Sequence, residues 1–126
     1  MIGEIRTAIT PYFDVKTNQK KFKGRPILII SHADTQDYVV LPVSTITRRN
    51  NIDPTYDIEV VPSTFPKLNL NSVSYIRTHK QTVVHASEIG KKIGDLRNDY
   101  PDLFLEVLSK REQFSEEITR QALEAV

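Results

Sequence analysis

Short apolar runs separated by turn-forming residues fill the first two-thirds of the chain. Two runs are continuous and rich in β-branched residues, which is typical of short strands buried on both faces. They are PILII (26–30) and DYVVLPV (37–43). Three others alternate apolar and polar positions, as strands with one buried face do: IGEIRTAI (2–9), TYDIEVV (55–61) and NSVSYIRT (71–78).

The run at 55–61 shows the alternation most clearly. Tyr56, Ile58 and Val60 are predicted to point inward, and Asp57 and Glu59 outward as ordinary solvated side chains. The connections between these runs are too short for crossover helices. The pattern therefore predicts a small antiparallel barrel or sandwich.

The pattern changes to a helical period after residue 100. Between Pro101 and Val126 there is no glycine and no further proline, and Asp99 is a suitable helix start. Apolar residues recur at helical spacing at Leu103, Val107, Phe114, Ile118 and Ala122. We expect one domain over residues 1–126, with a barrel at about 1–98 and a helix at about 100–124 packed on it. The helix either covers the core or also binds a partner.

Composition narrows the possible classes. The 126 residues are 39% hydrophobic and 26% charged, as in ordinary globular proteins. No apolar run approaches the roughly 18 residues of a membrane span, and the N-terminus lacks signal-peptide character, so we expect a cytoplasmic protein without membrane contact. The absence of cysteine excludes disulfides and thiolate chemistry. The histidines lack metal-ligand spacing, so neither a metal site nor a cofactor is predicted.

Charge is unevenly distributed. The net charge is +1, but residues 1–50 carry eight basic and four acidic side chains, a net +4, and the remainder carries −3. Five cations and no acid lie between Lys16 and Arg25. This segment is predicted to be a solvated loop, and it could form one side of a basic patch.

Arg25 lies between Gly24 and Pro26, at the mouth of the buried 26–30 strand. An arginine fixed there suits either a structural ion pair or an anion site. The next strand ends in the hydroxyls of Ser44, Thr45 and Thr47, followed by Arg48 and Arg49. Such hydroxyls cap turns, but neighbouring strands would also bring them beside Arg25. The segment RTHK (77–80) is either a polar strand end or a phosphate-binding group.

A set of motifs, in order, resembles the MazF/PemK toxins over about residues 2–97. They are GEI, KGRPILIIS, VVLPVS, YDIEV, LNLNSVSYIRTHK and IGDL. The resemblance implies a mainly β (α+β), SH3-like antiparallel barrel with a C-terminal helix, acting as a homodimer. It also implies a metal-independent endoribonuclease that cleaves single-stranded RNA at short sequences. An antitoxin protein would neutralise it, in a complex that binds DNA.

The resemblance also implies site residues. Arg25 takes the place of the family's arginine and Ser44 that of its hydroxyl, with Thr45 as the alternative. From the residues themselves, and not from the resemblance, His79 is the one candidate base. The predicted RNA-binding residues are Lys20, Lys21, Lys23, Arg48, Arg77, Thr78 and Lys80. The chain departs from the family pattern in two places, because TNQKKFKG lacks an acid before the arginine and Arg6 follows GEI. These departures bear on the sequence cleaved and on activity.

The predicted chemistry needs no protein nucleophile, since the substrate's own 2′-hydroxyl attacks the adjacent phosphate. Arginine keeps its proton at ordinary pH, so its predicted role is to stabilise charge on the phosphoryl oxygens. Two alternatives remain open. One is a non-catalytic barrel of the same fold group that binds nucleic acid or a protein target such as gyrase. The other is a barrel in which Arg25 forms only a structural ion pair.

Overall fold

The computed structural model describes the backbone of residues 1–126 and the side chains of residues 1–9 and 13–126. It contains seven strands, two α-helices and three short 3₁₀ turns. The strands are β1 (Glu4–Asp14), β2 (Gln19–His32), β3 (Asp37–Ser44), β4 (Asp57–Val60), β5 (Ser74–Arg77), β6 (Thr82–His85) and β7 (Ile89–Asp95). The helices are α1 (Leu96–Asp99) and α2 (Pro101–Glu124).

All strand pairs are antiparallel, in the order β4-β5-β3-β2-β1-β7, and β6 also pairs with β3. Strand β3 thus meets β6 through its first half and β5 through its last two residues. The sheet curls around a core to which β1 to β5 and both helices contribute. This confirms the predicted antiparallel barrel with a C-terminal helix.

Helix α2 packs on the barrel from its first turn to Phe114, whose ring contacts Tyr56 and His79. Leu103, Phe104 and Val107 are buried in the core, whereas Ile118 is 52% exposed and Leu123 is 69% exposed. The predicted apolar stripe is therefore a core contact only near its beginning. Ile118 belongs to the predicted stripe but is exposed, so the later part of the stripe does not enter the core.

Candidate nucleic-acid site

Strand register places Arg25 beside Ser44. Strands β2 and β3 pair with Ile27 opposite Pro42 and Leu28 opposite Leu41. Extending this antiparallel register by two positions puts Arg25 opposite Ser44, on the same face as Ile27. Because Ile27 and Leu28 are buried, the backbone that carries Arg25 continues from a rigid segment.

A cleft of about 530 Å³ opens at this point. Four basic residues line it, together with three hydroxyls, one amide and one aliphatic side chain. They are Arg25, Arg48, Arg77 and Lys80, then Ser44, Thr45 and Thr47, then Asn51 and Ile46. No aspartate or glutamate is among these described lining residues, so the cleft is suited to a polyanion.

Arg25 is exposed in this cleft. Within residues 1–9 and 13–126, whose side chains are described, no carboxylate lies within ion-pair distance of its guanidinium. A structural ion pair therefore lacks an acidic partner there. Of the two interpretations left open by the sequence, the geometry favours the anion site.

Ser44 and Thr45 differ in their surroundings. Ser44 borders the main cleft and two smaller ones that adjoin it, and Arg25 is the other residue common to all three. The Thr45 hydroxyl lies 3.2 Å from the Ser72 hydroxyl and shares a hydrogen bond with it. Both hydroxyls therefore line the main cleft with Arg25, but only Ser44 borders all three clefts with it, and the Thr45 hydroxyl is bonded to Ser72.

The three lysines before Arg25 lie in strand β2 and not in a loop. Strands β1 and β2 pair continuously out to Asp14 opposite Gln19, so only residues 15–18 form the turn. Asn18 makes this turn possible with a left-handed φ of 54°. The expected basic loop is therefore a projecting hairpin, in which Lys21 Nζ lies 3.0 Å from Asp14 Oδ2.

Alternation along β2 divides these lysines between two faces. Lys21 and Lys23 share the face of Arg25, whereas Lys20 shares the opposite face with Phe22. Phe22 is 67% exposed and Phe13, directly across from Lys20, is 59% exposed. The hairpin therefore carries a basic face that leads to the cleft and a second face with exposed aromatic rings.

Arg77 lines the cleft and forms an ion pair with Asp57 that the sequence did not indicate. Its Nε donates to Asp57 Oδ1 at 3.1 Å and its Nη2 to Asp57 Oδ2 at 3.3 Å. The Asp57 side chain is 0% exposed, so the expectation that it faces solvent was wrong. The reason is strand pairing, which sets Asp57 directly across from Arg77.

Thr78 is buried, whereas Lys80 is exposed. Thr78 is 1% exposed and its hydroxyl donates to the Tyr56 carbonyl at 2.6 Å. This side chain therefore stabilises the strand end and has no access to a ligand. Lys80 is exposed and lines the cleft.

His79 is not among the lining residues of the cleft. Its ring packs against Tyr56, with centroids 5.9 Å apart, and against Phe114 of α2 at 6.0 Å. Burial lowers the pKa of His79, and the nearby charge of Asp57 opposes this only in part. Its Nδ1, 3.8 Å from Asp57 Oδ1, has no hydrogen-bond partner among the described residues. The imidazole thus packs between Tyr56 and Phe114, and its lowered pKa favours the neutral form.

Three residues near the cleft escaped sequence reasoning: Asn51, Asp57 and Ser72. Asn51 lines it, and its carbonyl accepts from Arg77 Nη2 at 3.2 Å. For Asp57, the sequence signal is the alternation of β4. Asp57 and Arg77 fall at facing positions once β4 pairs with β5. That pairing requires a long loop to close, which no local pattern reveals.

In the portion of the chain that the structure describes, no group of three or more histidine, aspartate or glutamate side chains could hold a metal ion. Within that same portion, neither helix has the length and apolar character needed to cross a bilayer.

Comparison with known proteins gives a family and a fold. Residues 3–110 match the sequence model described as "PemK-like, MazF-like toxin of type II toxin-antitoxin system". No curated protein matches the chain. The solved structure of Mycobacterium tuberculosis toxin MazF-mt6 is similar to it, with a TM-score of 0.54 and 18% sequence identity, covering 86% of this chain and 96% of that one. At this identity the likeness establishes the fold alone.

Proposed function

This chain belongs to the family of PemK-like, MazF-like toxins of type II toxin–antitoxin systems, and on that premise we propose that it is a metal-independent endoribonuclease. It would cleave single-stranded RNA at specific short sequences in the cytoplasm. The observation that carries the proposal is the cleft itself. There Arg25, without a carboxylate partner among the described residues, lines the same cavities as Ser44 among three further cations.

The proposed reaction is an internal transfer of the phosphoryl group. The 2′-oxygen attacks the adjacent phosphorus, the bond from phosphorus to the 5′-oxygen breaks, and the 2′ proton is lost while the 5′-oxygen gains one. The products are a 2′,3′-cyclic phosphate and a 5′-hydroxyl. No water is consumed, so the protein has to supply electrostatic stabilisation and orientation.

Arg25 and Ser44 would divide these tasks. The Arg25 guanidinium would donate to the non-bridging oxygens, where negative charge increases in the transition state. The Ser44 hydroxyl would donate to the same phosphate or orient the 2′-hydroxyl. The described lining offers neither a carboxylate nor an imidazole, so we assign proton transfer to solvent water rather than to His79.

The other basic residues would hold the strand on either side of the cleaved bond. Lys21 and Lys23 continue the face of Arg25 along the hairpin, while Arg48, Arg77 and Lys80 line the cleft itself. Contacts from such groups go mainly to phosphates and are independent of sequence. Lys20, together with Phe13 and Phe22, would border the strand from the second face, where exposed aromatic rings can stack on bases.

We further propose a homodimer and an antitoxin partner. An apolar groove of about 360 Å³ adjoins Arg25 and Ser44, and it includes Ile9 and Val83, which are 52% and 54% exposed. Apolar surface beside a basic cleft suits a second copy of the chain and also an acidic antitoxin segment that orders on binding. Light scattering at micromolar concentration should give the mass of a dimer, and a monomer would contradict a groove shared between two copies.

Incubation with a long RNA in excess EDTA tests the proposed activity. We expect a small number of discrete fragments with 5′-hydroxyl and 2′,3′-cyclic phosphate ends, and none from Arg25→Ala. Fragments that appear only after a divalent metal is added would contradict the mechanism. RNA that is bound but left intact would indicate the non-catalytic alternative, a barrel that only binds nucleic acid.

A further inference from the structure

We infer that Asp57 is a positioning residue, which holds the Arg77 guanidinium at the edge of the cleft so that it can bind an RNA phosphate. The inference rests on the proposed function. Asp57 cannot itself touch a ligand in the cleft, because its side chain is 0% exposed and it is not among the lining residues. Its direct hydrogen bonds to the cleft lining are those with Arg77.

The hydrogen bonds around Arg77 define its orientation. Asp57 accepts from Nε at 3.1 Å and from Nη2 at 3.3 Å, and the Asn51 carbonyl accepts from Nη2 at 3.2 Å. A guanidinium has five N–H groups, so these bonds use three of them. The two hydrogens on Nη1 have no partner among the described residues and remain for a ligand.

Asp57 is itself fixed from a second direction. The backbone N–H of Asp53 donates to Asp57 Oδ2 at 2.8 Å, and the Asp57 N–H donates to the Asp53 carbonyl at 3.0 Å. The carboxylate is thus held between the 53–57 turn and strand β5. A bidentate carboxylate held in this way restricts the guanidinium plane, which a single contact would leave free to rotate.

The effect of the Asp57–Arg77 pair on RNA binding should not depend on net charge. Asp57 neutralises much of the field of Arg77, so Arg77 adds directed hydrogen bonds rather than net charge. Contacts made equally in the ground state and the transition state change KM and leave kcat unchanged. We therefore expect Asp57→Asn to raise KM on the order of tenfold, as for one charge-assisted hydrogen bond, with kcat within about twofold.

A double-mutant cycle tests this directly. In an Arg77→Gln background, Asp57→Asn should cause no additional rise in KM, because the group it positions is already absent. An equal rise in both backgrounds would mean that Asp57 acts through general stability, and would overturn the inference. Glu59→Gln is the matched control: it lies on the same strand, bonds the Tyr75 hydroxyl and should leave KM unchanged.

Arg77→Lys supplies a second arm that holds even if Asp57→Asn does not fold. Lysine keeps the positive charge but cannot form the bidentate contact with a carboxylate. We expect its KM to rise nearly as much as that of Arg77→Gln. Wild-type KM in Arg77→Lys would show that charge suffices and would overturn the inference.

An NMR measurement separates failure of this inference from failure of the proposed function. The Arg77 Nε–H should exchange slowly with solvent in the wild type and rapidly in Asp57→Asn, without RNA present. Rapid exchange in the wild type would overturn the positioning role even if RNA is cleaved. Slow exchange in a protein that neither binds nor cleaves RNA would refute the ribonuclease proposal while leaving the Asp57–Arg77 geometry established.

Discussion

Arg25 and Arg77 line the same cleft but are held there in different ways. Arg25 continues a buried strand and has no acidic partner among the described residues, so its full charge is available to a ligand. Arg77 is clamped by the enclosed carboxylate of Asp57, which leaves Nη1 available but neutralises much of the charge. The difference suggests that Arg25 acts on developing charge and that Arg77 acts on position.

The largest effect should come from Arg25→Lys. Lysine keeps the charge but loses the planar fork of donors on the phosphoryl oxygens. We expect kcat to fall by about 10²–10³, with little change in melting temperature because the side chain is exposed. Single-turnover cleavage at saturating protein measures this. Activity within a few-fold of wild type would remove the distinction between the two arginines.

Ser44→Ala should have the next largest effect. Loss of one hydrogen bond to a charged phosphate would lower kcat by roughly 10- to 100-fold, whereas Thr45→Ala should change it little, because that hydroxyl bonds Ser72. Thermal melting should show both variants as stable as wild type. A larger effect at Thr45 would move the catalytic hydroxyl by one residue. A large loss of stability in Ser44→Ala would instead indicate a turn-capping role.

The hairpin lysines should have graded effects on the salt dependence of RNA binding. For single strands, each phosphate contact contributes about −0.7 to the slope of log affinity against log salt. Lys23→Glu, on the face of Arg25, should flatten the slope by about this amount. Lys20→Glu, on the opposite face, should change it less, and Lys91→Glu on β7 not at all. Equal effects at Lys23 and Lys91 would place the RNA away from this hairpin.

The smallest expected effect concerns the pH dependence of stability. Burial against Tyr56 and Phe114 lowers the pKa of His79, against opposing effects of Asp57 and Asp53 and with support from Arg77 and Lys80. The unfolded chain then binds a proton near pH 6.5 that the folded chain does not. Stability is therefore complete above that pH and decreases as the pH falls towards the folded pKa.

The melting temperature of the wild type should therefore drop between pH 7.5 and 5. His79→Phe keeps an aromatic ring but cannot be protonated, so most of this drop should disappear. His32→Gln, at an exposed strand end, serves as the control and should keep it. A drop of equal size in His79→Phe would assign the effect to other groups.

The fold was largely predictable because its strands are marked locally. The buried strand at 26–30 and the alternating strand at 55–61 can be recognised from consecutive residues. The start of α2 can likewise be recognised from its proline. Burial that depends on residues far away in the sequence was not predictable. Asp57 looked solvated because the alternation of its own strand says nothing about which residue will face it from β5. Ile118 has the same helical spacing as the buried residues but is exposed, because helical periodicity does not show where the barrel ends.

The residues of the site could be predicted where the order of their strands could be predicted. Arg25 and Ser44 could be expected to meet because a meander makes their strands neighbours, and they line the same cavities in the structure. His79 shows the limit, since its neighbours in sequence, Arg77 and Lys80, do line the cleft. Its own ring instead faces Phe114, and only the packing of α2 on the barrel decides that.

The most direct test of the central claim is a single 2′-deoxy substitution. Once the cleaved bond has been mapped in a long RNA, an oligonucleotide that lacks only the 2′-hydroxyl at that position is compared with its all-RNA counterpart in EDTA. Metal-free attack by that hydroxyl at the Arg25–Ser44 pair predicts that the substituted strand binds with near-equal affinity but is not cut. Cleavage of the substituted strand at the same bond would contradict the account.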